Sequence, residues 1–224
     1  MKTIKTQAIV LKRTNYGEAD RVIQFLTPNG KLSAIAKGVR REKSKMAGGI
    51  ELFAVCDIAV AEGKSDLGIV TSTRISHFYK NILANYDRMQ FAYQVIKLIS
   101  SASEQLDGSD WYEILNEVFA GIDSHSINFE LVQTWFYLRY SVLTGYELSL
   151  RRDIDGNDLL SGMNYSYDLG ERGLRQNTKG EIGTEHIKLM RLINTKSLKV
   201  LAQIGGINDV ISDCLMVAHQ HAAV

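Results

Sequence analysis

Thr6-Gln7-Ala8-Ile9-Val10-Leu11-Lys12-Arg13, Arg21-Val22-Ile23-Gln24-Phe25-Leu26-Thr27 and Lys31-Leu32-Ser33-Ala34-Ile35-Ala36-Lys37-Gly38-Val39 decide the fold. Each segment is short and rich in β-branched or apolar residues. The breaks between them are Asn15-Tyr16-Gly17 and Pro28-Asn29-Gly30, residue types that reverse a chain tightly. In the third segment Leu32, Ala34 and Ala36 alternate with Lys31, Ser33, Ile35 and Lys37, so one face is buried and the other wetted. Beyond it, a polar, basic stretch from Arg40 to Gly49 leads to Leu52, Ala54, Cys56, Ile58 and Val60, again one apolar face at period two. The loop Glu62-Gly63-Lys64-Ser65-Asp66 turns the chain into a fifth strand, Leu67 to Phe78. Five strands with turns at short spacing suit a small closed barrel, of which the nucleic-acid-binding OB-fold is a common example.

From Tyr79 the apolar period changes to 3.6. Met89, Ala92, Tyr93, Ile96 and Ile99 share one helical face, and Trp111, Ile114, Leu115, Val118, Phe119 and Ile122 a second. Asp110 and Glu113 have the spacing of a capping box at the second start. Phe129, Val132, Phe136, Tyr140 and Leu143 make a third helix that stops at Gly145. Residues 148–183 lose periodicity, and helical patterning resumes from Thr184, expected as an N-cap, through Ile204 and again from Ile207 to Ala218. The expected class is α+β, multidomain: a β-barrel over 1–79, then a helical domain over 80–224 interrupted by an irregular insert, 148–183.

The chain has 224 residues, 45% of them hydrophobic, which excludes global disorder. Its longest apolar runs, Leu52–Cys56 and Cys214–Ala218, are far shorter than the roughly 20 residues of a membrane helix. Met1-Lys2-Thr3-Ile4-Lys5 leads directly into patterned sequence, so no secretory leader is expected. Two cysteines cannot build a disulfide framework or an all-cysteine zinc site. A reduced, cytoplasmic protein is expected.

The net charge of +1 conceals an asymmetry. Residues 1–50 hold eleven lysines and arginines against Glu18, Asp20 and Glu42, or +8, while the rest of the chain carries −7. Such a split points to a polyanion partner for the basic part, although many charge runs are no more than solvated faces.

Catalytic constellations are missing. Cys56 and Cys214 lie on apolar faces and read as small core residues. His219 and His221 point about 160° apart on a helix, and no third ligand stands at metal-site spacing. Asp153, Asp155, Gly156 and Asp158 resemble the start of a calcium loop, but the twelfth position is Asn164, where a bidentate glutamate is needed. Neither a dinucleotide fingerprint nor a P-loop occurs. Trp135, Phe136 and Tyr137 are consecutive on a helix, so at least one belongs to the core. What remains is the basic cluster: Lys12, Arg13, Arg21, Lys31, Lys37, Arg40, Arg41, Lys43 and Lys45 are the candidate DNA-binding residues. On a barrel wall and its rim they would track a phosphate backbone, with Tyr16 and Phe25 as candidate stacking rings. Nothing resembles a recognition helix, so base-specific readout is not expected.

Three blocks resemble the opening of the RecO recombination-mediator family. They are Ala8 to Arg13, Tyr16-Gly17-Glu18-Ala19-Asp20-Arg21, and Thr27-Pro28-Asn29-Gly30 through Gly38, followed by a basic linker and Glu51-Leu52-Phe53. The blocks cover residues 6–53, and the barrel-then-helices order extends the likeness more weakly along the chain. The resemblance implies binding to single- and double-stranded DNA, annealing of complementary strands and help in loading the recombinase RecA. It also implies work alongside RecR and the acidic tail of single-stranded-DNA-binding protein. Many members carry a four-cysteine zinc site in the insert. Here residues 148–183 contain neither cysteine nor histidine, so no zinc and no other cofactor is expected, and the stretch reads as a degenerate zinc-site region. Ile154, Leu159, Leu160, Met163 and Leu169 could supply an apolar cluster in its place.

The expected function is therefore a non-enzymatic, DNA-binding accessory of recombinational repair, located in the cytoplasm at the nucleoid. The rival reading is an OB-fold scaffold whose basic face binds an acidic protein partner.

Overall fold

β1 (Thr3–Tyr16), β2 (Asp20–Thr27) and β3 (Gly30–Ala36) run as successive antiparallel neighbours. The computed structural model describes residues 2–44, 46–63, 67–102 and 110–223. β1 is long enough to serve two partners. Its first half, Thr3 to Ile9, pairs with β4 (Ala54–Ala61), and from Ile9 onward it pairs with β2. The change of partner is accompanied by a bulge between Val10 and Lys12, the device that bends a strand around a corner. β4 pairs antiparallel with β5 (Gly68–Phe78), and β5 meets β3 in parallel through Ala34↔Gly68 and Ile35↔Ile69. The strands thus close a ring in the order β1-β2-β3-β5-β4. Its interior is filled by the residues that the alternation assigns inward, among them Val10, Ile23, Phe25, Ala34, Ala36, Cys56, Ile58 and Val60.

Part of the outer wall is also covered. Ile9, Leu11 and Leu26 alternate out of the interior yet are buried. Helix α1 (Tyr86–Ala102) lies against β1, and α2 (Asp110–Asp123) against β2. Lys31 Nζ donates to the Ser100 carbonyl near the end of α1, fixing that lysine to the helix. Phe53, with φ 59°, turns the chain into β4 and sets its ring edge-on to Tyr93 and Phe119, at centroid distances of 5.0 and 5.6 Å. Tyr79, at the end of β5, donates to Asn116 Oδ1 at 2.7 Å. The strands end near the expected boundary at residue 79, but the compact unit runs from Met1 to Asp123, because α1 and α2 complete the barrel's outer cover.

The second unit, Ser124–Val224, is helical. α3 (Phe129–Leu143) starts on Asn128, whose Oδ1 accepts from Glu130 N and Leu131 N, and packs against α6 (Ile211–Ala222). Trp135, Phe136 and Tyr137 are all buried, so all three belong to the core. The helical stretch expected from Thr184 to Ile204 is two helices, α4 (Thr184–Ile193) and α5 (Leu198–Leu201). Thr184 is the first helical residue of α4 rather than its cap, and its hydroxyl accepts from Gly162 N at 3.0 Å.

The insert is not irregular throughout, a correction to the sequence expectation. β6 (Tyr165–Asp168) and β7 (Gly173–Gln176) form an antiparallel hairpin, and Tyr165 also bridges to Ile182. The apolar residues buried in it are largely not the expected set: Leu160, Met163 and Leu169 are exposed and Ile154 and Leu159 half-buried, while Leu148, Leu150, Tyr165, Leu174 and Ile182 are buried. The Asp153 carboxylate accepts from the backbone N–H groups of Asp155 and Asn157, a turn device that accounts for the acidic run. Tyr165 is buried, and its hydroxyl accepts from Leu160 N at 2.8 Å. His221 of α6, also buried, joins the hairpin through Tyr167 Oη at 2.9 Å and approaches the Tyr146 carbonyl at 2.6 Å. Burial lowers the His221 pKa from its ordinary range, so the ring is neutral near pH 7. Period-two patterning fails to reveal this hairpin because its strands are only four residues long.

Candidate nucleic-acid interface

Strand register sorts the candidate cations onto two faces. Arg13 stands opposite Ile23, and Arg21 opposite Ala36, both core residues, so these arginines continue the inward face to the mouth of the barrel. Lys12, Thr14 and Tyr16 alternate to the outside, paired with Gln24, Val22 and Asp20, and Ile35 stands beside Val22 on the same side. Lys31 is outward as well, but at the far end of β3. Six residues at about 3.3 Å each put it roughly 20 Å from Lys37.

The mouth is assembled by three bonds. Asp20 Oδ1 accepts from Gly38 N at 2.7 Å, Arg40 N donates to the Ala19 carbonyl at 2.9 Å, and Arg40 Nη1 donates to the Gly17 carbonyl at 3.2 Å. They tie the turn after β3 to the β1–β2 turn, which Gly38 permits with φ 65°. The result gathers Arg21, Lys37, Arg40, Arg41 and Lys43 around one end of the ring. Lys37, Arg40, Arg41 and Lys43 are exposed there, as is Lys12 on the adjoining outer face. Five cations stand against three carboxylates here: Asp20, which accepts from Gly38 N, and the exposed Glu18 and Glu42.

Three of the nine candidates stand apart. Arg13 donates to Glu51 Oε2 at 2.8 Å and to the Ile50 carbonyl, so it fastens the segment before β4. Lys31 is held by α1. Lys45 lies outside the described residues. Of the two candidate rings, Phe25 is wholly buried in the barrel and Tyr16 is 58% exposed at the tip of β1. The residues that sequence reasoning overlooked are Asp20, which pins the mouth, and Val22 and Ile35, which form a half-buried apolar strip beside Lys12. No local signal marks Asp20, since its partner is eighteen positions away.

The chemistry of the remaining groups is quiet. Among the described residues no cluster of three or more His, Cys, Asp or Glu side chains could hold a metal, and no helix is long and apolar enough to cross a membrane. Burial, reinforced by Asp57 and Glu51, pushes the Cys56 thiol up to about 11, and burial with Asp213 pushes Cys214 up to about 12. Both therefore stay protonated and shielded at neutral pH. Native-state labelling with a thiol reagent is expected to be slow until denaturant is added. Cys56→Ala and Cys214→Ala should each lower stability on the order of 1 kcal/mol without touching nucleic-acid affinity. Fast labelling of the folded chain would contradict that assignment.

Comparison with known proteins bears on this interface. Residues 1–79 match the family model described as the N-terminal domain of recombination protein O. The DNA repair protein RecO of Dehalococcoides mccartyi is 30% identical over 164 residues, 72% of this chain and 64% of that protein. The one from Heliobacterium modesticaldum is 33% identical over 162 residues, covering 68% of this chain and 56% of that protein. The one from Alkaliphilus metalliredigens is 28% identical over 144 residues, 63% and 58% respectively. The chain thus spans somewhat under two thirds of the length of the relatives it matches. The three sequence blocks, the ring of five strands and the cationic mouth all fall inside the matched N-terminal region, and it is through that region that the chain is similar to the RecO family of recombination proteins.

Proposed function

We propose that this chain is a non-enzymatic accessory of recombinational DNA repair that binds single- and double-stranded DNA at the barrel mouth and anneals complementary strands. The observation that carries the reading is the gathering of Arg21, Lys37, Arg40, Arg41 and Lys43 at one end of the ring by the Asp20–Gly38 and Arg40–Gly17 bonds. The strand order β1-β2-β3-β5-β4, with β3 and β5 parallel, supports an OB-fold, whose ligand face lies on strands 2 and 3. Annealing requires that two polyanions approach, and bound cations offset their repulsion while leaving base edges free to pair. The names of the relatives support the repair role. On the same footing the chain assists recombinase loading at the nucleoid, in the cytoplasm, with RecR, the acidic tail of single-stranded-DNA-binding protein and RecA filaments as partners.

A salt titration of single-stranded DNA binding tests this. The log affinity should fall linearly with log salt, by about 0.7 for each phosphate neutralised. Absence of binding to any DNA, with capture of an acidic peptide instead, would favour the scaffold reading. The insert, held by Asp153, Tyr165 and His221 in place of metal, completes the proposal. Elemental analysis is expected to find no stoichiometric zinc, and one tightly held zinc per chain would overturn that part.

A further inference from the structure

The cations at the mouth answer for phosphate but not for any preference between strand forms, and the adjoining outer face of β1–β3 offers chemistry of a different kind. Tyr16 ends the outward row Lys12, Thr14, Tyr16, and all three are exposed. Next to that row stand Val22 on β2 and Ile35 on β3, each only half-buried although apolar. Further toward the turn between β2 and β3, Ile9, Leu11 and Leu26 on the same wall are buried. The wall is therefore only partly covered at Val22 and Ile35. The half-covered strip has an exposed aromatic ring at its tip, with Lys12 four positions before that ring on β1 and Lys37 directly after β3. Of the carboxylates at this end, Asp20 opposite Tyr16 accepts from Gly38 N, Glu18 sits in the turn beyond the ring, and Glu42 follows Arg41.

We propose that this strip is a base-stacking platform with Tyr16 as its ring, and that it makes the chain favour single strands over duplex. The proposal rests on the nucleic-acid reading above and deepens it. An aromatic face accompanied by two cations is complementary to a nucleotide, whose base is a flat apolar surface joined to an anion. In a duplex the base faces are already stacked on one another and only phosphates are offered. In a single strand they are free to move onto a protein ring. Lys12 and Lys37 then serve both forms, and Tyr16 serves one.

The full-length chain is titrated with a thymidine homopolymer, with a strand of equal length made of abasic nucleotides, and with a blunt duplex. Tyr16→Ala is expected to weaken binding to the thymidine strand about tenfold, within the range found for one base–aromatic stack, and to leave the abasic strand and the duplex unchanged. Tyr16→Phe, which keeps the ring, is expected to stay within about twofold of the parent on all three. The ring is exposed and lies outside the barrel interior, so both variants should fold. An undiminished affinity of Tyr16→Ala for the thymidine strand overturns the platform and leaves the cationic mouth intact. An equal loss on all three ligands also overturns it. If the parent chain itself binds none of the three, the underlying DNA reading fails together with the platform.

Discussion

Phe53→Ala lowers the stability of the first unit by about 4 kcal/mol, as expected for removing a fully buried ring from a packed site. The side chain is 1% exposed and holds two edge-on aromatic contacts, with Tyr93 and Phe119, so it is the point at which the barrel and its helices share one cluster. Its carbonyl also accepts from Tyr79 N at 3.0 Å, which joins the start of β4 to the end of β5. The backbone there is left-handed, a conformation that costs a residue with a Cβ about 1–2 kcal/mol. Glycine avoids that cost, so Phe53→Gly should be no less stable than Phe53→Ala, by a margin of about 1 kcal/mol, although it removes one more carbon. Urea unfolding of both variants, fitted with separate transitions for the two units, checks this. A change below about 1.5 kcal/mol for alanine would mean that the site collapses around the loss.

The second large effect falls on binding. Replacing Lys37, Arg40 and Arg41 together with alanine should lower the salt slope for single-stranded DNA by about 2 and the affinity at 0.1 M salt by about 100-fold, three phosphate contacts at roughly fivefold each. The loss should be uniform across sequences, since charges at the mouth read no base edges. Stability should change little, because the three side chains are exposed and, although the exposed bond from Arg40 Nη1 to Gly17 is lost, those from Arg40 N to Ala19 and from Gly38 N to Asp20 survive the substitution. Arg13→Ala is the useful contrast. It breaks the pair with Glu51 and is expected to affect folding more than affinity. A folded triple variant with the parent's slope and affinity would move the DNA site elsewhere.

Much of the barrel was legible because each of its strands buries one face. Leu32, Ala34 and Ala36, and Ala54, Cys56, Ile58 and Val60, announce their inward side by alternation alone, and the structure places them there. Alternation is silent about the outer wall. Ile9, Leu11 and Leu26 look like ordinary strand residues, and only the packing of α1 and α2 reveals why the compact unit extends past the strands. The cations were legible as a charge excess but not as a geometry. Arg13 and Lys31 are the same residue types as Arg41 and Lys37, yet the first two are held by partners 38 and 69 positions away, which no local pattern encodes. The insert was opaque because turns built by Asp153 and a hairpin of two short strands leave no periodic trace.

The ring closes unevenly. β4 and β5 share eight paired positions, whereas β3 and β5 meet at only two, Ala34↔Gly68 and Ile35↔Ile69. A Cβ on Gly68 would come within 2.4 Å of Val60 Cγ1, so the seam depends on that glycine. The same line is the natural place for the folded barrel to breathe, since the fewest hydrogen bonds must break to part it. Ile35 belongs both to this seam and to the strip beside Tyr16. A strand lying across that strip would act as a splint on the joint, and its occupancy would then be coupled to the integrity of the barrel through one residue pair, Ile35 and Ile69.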